Sequence, residues 1–156
     1  MGLRPVASLT PRVAARVHSP QPRRGALMLH PNIAIVRRFY VAFIARDTAR
    51  IWEFAGQDLA LHVSGRSRWT GDYRGREEIL GLFYRVGQMA GRSVRLTIHD
   101  VVGGEQHVVG LHKATAALPG KALDLNGTAV CHVDAGKISE IWLGWQSQRT
   151  FDEFWS

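Results

Sequence analysis

The chain is poor in the features that usually make a function legible. One cysteine among 156 residues, Cys131, excludes an internal disulfide framework and suits a reducing compartment, so a cytoplasmic location is expected. No apolar run approaches the roughly 18 residues a helix needs to cross a bilayer, so no membrane partner is expected. No catalytic-triad signature, H-x-H or H-E-x-x-H metal spacing, or G-x-G-x-x-G phosphate loop occurs, and neither a metal nor a cofactor is expected. Acid is missing from one stretch: residues 1–27 hold Arg4, Arg12, Arg16, Arg23 and Arg24 with no Asp or Glu. Those are five of the 20 basic residues, leaving 15 against 13 acids in the remainder. Most of the net charge of +7 therefore sits in the leader, and a basic nucleic-acid-binding face is not indicated. The leader also carries four prolines and no sustained period, which predicts a disordered basic extension over residues 1–27. An extension ahead of a start at Met28, a targeting segment and an interaction arm all fit that composition.

What is present reads as one domain over residues 28–156. Ile33, Val36, Tyr40 and Phe43 share one face of a helix over 31–46, with Asn32 as its expected cap. Asp47 can cap a short second helix carrying Ile51, Trp52 and Phe54. Leu59, Leu61 and Val63 then alternate with Ala60 and His62 in a strand pattern. A Gly-punctuated hairpin leads to a third helix over Arg76 to Met89, with Gly91 as its stop. Strands are predicted at about 93–102, 106–117, 121–133 and 137–146, separated by Gly103-Gly104, Pro119-Gly120 and Ala135-Gly136. Three helices followed by such a meander make an α+β layer, helices on one face of a curved sheet.

The turns also predict which side chains share a face. If each is tight, His99 lies opposite Val108, His112 opposite Gly127, and Ala129 opposite Trp142. One face then holds Arg95, Thr97, His99, Gly110, His112, Ala129, Cys131, Glu140 and Trp142. The other holds Leu96, Ile98, His107, Val109, Leu111, Val130, His132, Leu143 and Trp145. The first mixes small and polar residues as a ligand cavity would; the second, more apolar, suits a subunit contact.

V-R-R-F-Y-V-A-F-I-A-R-D, L-H-V-S-G-R-S, G-D-Y-R-G-R-E-E-I-L, G-K-I-S-E-I-W and F-D-E-F-W, in that order, make residues 30–156 resemble the SnoaL-like branch of the nuclear-transport-factor-2-like superfamily. The resemblance implies a cone-shaped α+β barrel, three N-terminal helices on a curved, mainly antiparallel sheet, around a deep pocket for a small organic ligand. It also implies a homodimer. Members include polyketide cyclases, ketosteroid isomerases, dehydratases, epoxide hydrolases and non-catalytic binders, so architecture is implied more narrowly than reaction. His62 falls where ketosteroid isomerases carry their Asp base, and an imidazole can exchange protons near neutrality. Their enolate-binding Tyr falls on Phe39, with Tyr40 one residue off, and their protonated Asp falls on Ala129, which disfavours steroid isomerisation. The resemblance thus implies His62 and Tyr40 as catalytic candidates, and the face predicted from the turns adds His112 as a replacement polar group. Trp69, Tyr73, His99, Ala129 and Trp142 are candidates for contacting the ligand. The function expected is a cofactor-independent cyclase, isomerase or dehydratase abstracting a proton next to a carbonyl, or else a non-catalytic ligand-binding or dimerisation module.

Overall fold

A computed structural model describes residues 29–156; the expected extension over 1–27 lies outside them. The elements are α1 (Pro31–Ile44), α2 (Thr48–Phe54), β1 (Ala55–Val63), β2 (Gly71–Arg74), α3 (Gly75–Ala90), β3 (Arg95–Gly103), β4 (His107–Leu118), β5 (Lys121–Asp134), β6 (Lys137–Trp145) and α4 (Gln148–Phe154). A 3-10 turn, Gly91–Ser93, links α3 to β3. The strands form one curved, open sheet in the order β2-β1-β6-β5-β4-β3. Only β1 and β6 pair in parallel; their chain segments are joined by a long crossover through α3 and the meander, as parallel neighbours require.

Local chemistry explains the helix ends. Pro31 occupies the first turn of α1, where its missing N–H costs nothing. The cap is His30, whose Nδ1 accepts the Asn32 N–H at 3.3 Å, rather than Asn32 itself. Asn32 instead donates its side-chain amide to the Glu105 carbonyl at 2.6 Å, tying the start of α1 to the β3–β4 loop. Asp47 caps α2 as its position predicts, accepting the Arg50 N–H at 3.0 Å. Gly91 ends α3 at φ 56°, a left-handed value that glycine adopts without steric cost. Of the three expected helices only α1 and α2 precede the sheet. A fourth, α4, follows it and buries Phe151, Phe154 and, just beyond its end, Trp155.

The core lies between the helices and one face of the sheet, where Val36, Leu59, Ile79, Val108 and Ile138 are almost fully buried. Two β-bulges decide which strand residues face it. The Ala135-Gly136 turn is tight, with Asp134 opposite Lys137, and both turn residues have positive φ. Ser139 is then an extra residue on β6, so Ala129 lies opposite Leu143 instead of Trp142. His99 is an extra residue on β3, with Ile98 opposite His112 and Asp100 opposite Leu111. Each bulge exchanges the faces of the strand beyond it. Leu96, Ile98, Leu143 and Trp145 therefore face the core, and Glu140 and Trp142 face away. Between β4 and β5 the register is regular throughout, with His112 opposite Gly127 as the Pro119-Gly120 turn predicts.

Candidate functional site

The covered face of the sheet and the helices enclose a cavity of about 1130 Å³. Its walls are mainly apolar: Leu59, Leu61 and Val63 from β1, Ile79 and Phe83 from α3, and Ile141 and Leu143 from β6. Trp69, Trp145, Phe151 and Trp155 make an aromatic wall, with Trp145 stacked on Phe151 at 4.5 Å between centroids and Trp69 edge-on to Trp155 at 5.7 Å.

Within this apolar lining Tyr40 of α1 and His112 of β4 meet. The Tyr40 hydroxyl lies 2.9 Å from His112 Nδ1, and both side chains are buried, each 4% exposed. Two glycines make the pairing possible. A Cβ at Gly110 would stand 2.6 Å from Tyr40 Cζ, and one at Gly127 would stand 2.8 Å from His112 Nε2 and 2.7 Å from the Trp145 ring. Such distances leave no room for a side chain, so glycine in these two central strands marks the close approach of a ring.

Burial sets the protonation states. Removed from water, the His112 imidazolium is disfavoured and its pKa falls to about 4, so the ring is neutral at physiological pH. Tyr40 is pushed above the ordinary phenol value, first by desolvation and then by Cys131, and stays a phenol. Burial likewise pushes the Cys131 thiol up to about 12, which leaves it a small apolar wall residue and not a nucleophile. The Trp69 and Trp145 rings line the cavity, while their indole N–H groups are buried in the packing, with no acceptor among the described residues.

Tyr40, His112, Trp69 and Ala129, expected at the site, all line the cavity. Tyr73 does not; it lies on β2, its hydroxyl donating to the Trp69 carbonyl at 2.9 Å, where it supports the loop that carries Trp69. His99, the bulged residue, is exposed. His62 and Trp142 are on the opposite face of the sheet, where their rings stack at 5.6 Å. There His62 bridges two carboxylates, Asp72 at 2.7 Å and Glu140 at 2.8 Å, joining the side chains of β2, β1 and β6. The bond to Asp72, and secondarily that to Glu140, raises its pKa.

The expectation that His62 projects into the pocket is thus overturned, and the reason is geometric. The cavity is a gap in the apolar core, so it lies on the same side as Leu61 and Val63. A residue alternating with them must point away. Reasoning from sequence also missed Trp145 and the contribution of α4. The F-D-E-F-W terminus, aromatic at helical spacing, was the available signal for the latter.

A curved sheet with helices on one face, an aromatic-walled hollow between them and a few convergent polar groups define a small-molecule pocket protein. The chain belongs to the SnoaL-like domain family, which it matches over residues 36–141. It is 22% identical over 126 residues to the uncharacterized protein Rv0034 of Mycobacterium tuberculosis, covering 80% of this chain and 96% of that one. Among solved structures it is similar to Bal32a from a soil-derived mobile gene cassette, with 31% identity, a TM-score of 0.77 and coverage of 81% and 97% of the two chains. TerC, co-crystallised with polyporic acid, shares the fold at 20% identity and a TM-score of 0.71, covering 80% of this chain and 97% of TerC.

Proposed function

We propose that the protein is a cofactor-independent enzyme that moves a proton next to a carbonyl of a small organic ligand, with Tyr40 and His112 as its catalytic pair. The observation that carries this reading is the buried 2.9 Å hydrogen bond between them inside the cavity. The bond can run either way. If Nδ1–H donates to the Tyr40 oxygen, the Nε2 lone pair is free to take a proton from carbon. The Tyr40 O–H is then free to donate to the carbonyl oxygen as enolate charge develops there. Returning the proton from Nε2 to another carbon completes an isomerisation; in a cyclisation the enolate carbon attacks a second carbonyl of the ligand, and the proton goes from Nε2 to the alkoxide so formed, again with no net change in the pair. If instead Tyr40 donates to Nδ1, Nε2 carries the proton and donates to the ligand. This second arrangement binds without chemistry. A ring whose cationic form is this disfavoured takes a proton from carbon poorly, so a non-catalytic binder is the competing reading.

Exchange of carbon-bound hydrogen for deuterium in a panel of aryl ketones, followed by NMR, separates the two. For an enzyme, His112→Gln should slow exchange by about 100-fold or more, Tyr40→Phe should slow it too, and His62→Ala on the far face should not. Thermal stabilisation by the ketones with no exchange in the wild type would establish a binder.

The outer face supports the expected homodimer. Val102 is 46% exposed there, beside the half-buried Val109, Leu111, Val130 and Trp142, an apolar band suited to a second copy of the chain. Leu111→Asp should then give monomers in sedimentation equilibrium, and a monomeric wild type would end the idea. Among the described residues no helix is long and apolar enough to cross a membrane. A cytoplasmic setting accords with the buried, unpaired Cys131.

A further inference from the structure

Three residues stand side by side across the middle of the sheet: His112 on β4, Gly127 on β5 and Trp145 on β6. Opposed residues on neighbouring strands share a face, and here it is the covered one, since both rings line the cavity. A side chain at the central position would keep the outer two apart. Glycine removes it, and the two rings lean over the gap from either side. Nε2 of His112 comes within 2.8 Å of the point where a Cβ on Gly127 would stand, and the Cε3–Cζ3 edge of Trp145 within 2.7 Å. The rings meet nearly at right angles, 81°, with centroids 5.6 Å apart. On the other side Tyr40 holds Nδ1 at 2.9 Å. The imidazole is therefore bracketed by two aromatic rings, with no side chain beneath it on β5.

Trp145 is itself clamped. Phe151 of α4 stacks on it at 4.5 Å and 13°. The end of α4 is fastened by two cations that meet its last carbonyls: Arg68 Nε donates to Trp155 at 3.0 Å, and Lys121 Nζ to Glu153 at 3.1 Å. A line of contacts thus runs from the C-terminal helix through Phe151 and Trp145 to His112. Phe154, as deeply buried on the same helix, sets its ring against Trp155 instead, at 4.6 Å.

We infer that Trp145 is a positioning residue: held by Phe151, it fixes the His112 ring in the orientation that offers Nδ1 to Tyr40 and leaves Nε2 over Gly127. This rests on the Tyr40–His112 reading and adds the device that orients the pair. An imidazole over an empty glycine is otherwise free to turn about its ring torsion, whose energy wells are broad. Turning would break the Tyr40 bond, and with it the constraint that sets which nitrogen carries the proton. A ring pinned from both sides keeps one tautomer.

Side-chain nitrogen NMR of the unliganded protein reads this directly, because bare and protonated ring nitrogens differ widely in shift. His112 should show one tautomer in the wild type. Trp145→Leu should give both in exchange, Phe151→Leu the same change more weakly, and Phe154→Leu none despite a comparable fall in melting temperature. In deuterium exchange next to the carbonyl of 1-tetralone, Trp145→Leu should lower kcat by about tenfold, more than it alters KM. Trp145→Phe, which keeps a ring beside Gly127, should recover most of that loss. A single tautomer retained in both Trp145→Leu and Phe151→Leu would show that the indole only packs, and would overturn the inference. Two tautomers in the wild type, or an equal effect from Phe154→Leu, would overturn it as well. If Trp145→Leu does not fold, the contrast between Phe151→Leu and Phe154→Leu decides alone. Exchange indifferent to His112→Gln, with the nitrogen shifts as expected, would remove the reaction and keep the positioning.

Discussion

Lowering the pH from 6.5 to about 4 should remove about 3 kcal/mol of folding stability through His112 alone. The unfolded chain takes up a proton at the ordinary histidine value of 6.5, whereas the folded chain resists until about 4, because the imidazolium would be stranded in an apolar interior. Above pH 6.5 neither state is protonated at this ring and the contribution is fully present. Between 6.5 and 4 the unfolded state binds more protons, so stability falls by up to about 1.4 kcal/mol per pH unit; below 4 the loss is complete. His62 acts in the opposite sense. Its pKa is raised in the fold, so its contribution is full below 6.5 and is lost as the pH rises through its folded value. Urea unfolding of the wild type and His112→Gln over pH 4.5 to 7.5 isolates the first effect, because His62 and the carboxylates cancel in the difference. The two curves should converge as the pH falls. Parallel curves would show that the ring is not buried in its neutral form.

Gly110→Ala should be nearly as costly, at about 3 kcal/mol, with a melting temperature lower by roughly 10 °C. The added methyl would overlap the Tyr40 ring, standing 2.6 Å from its Cζ, and Tyr40 cannot swing aside because α1 packs it against the sheet. Moving the ring also breaks its hydrogen bond and leaves His112 Nδ1 buried without a partner. Both effects act through one neighbour, so they should vanish together in a Tyr40→Ala background. There the methyl has space, and a double-mutant cycle should give a large coupling energy. An unchanged cost of Gly110→Ala in that background would locate its effect in the strand itself.

The fold was legible in the residues because it rests on local signals. Apolar spacing marked α1 and α3, Asp47 marked the start of α2, and the Pro119-Gly120 turn set the β4–β5 register that places His112 opposite Gly127. On the meander the site was legible where strands pair regularly: His112 and Ala129 face the cavity, as the turn implied. It failed on both sides of the bulges. An extra residue at Ser139 turned Trp142 and Glu140 outward and brought Trp145 in, while an extra residue at His99 put that histidine into solvent. Nothing in K-I-S-E-I-W or T-I-H-D-V announces a bulge, because a bulge arises from how a strand meets its partner.

The sequence by itself determined α1, α2, α3 and the strands, their order, and the alternation of side chains along each strand up to its bulge. The tertiary structure decided which set is covered, and with it that Tyr40 and His112, 72 positions apart, share a proton in the interior while His62 faces outward between Asp72 and Glu140. Alternation along a strand separates two faces but carries no mark of which one the helices will cover. That depends on apolar surface gathered from distant segments.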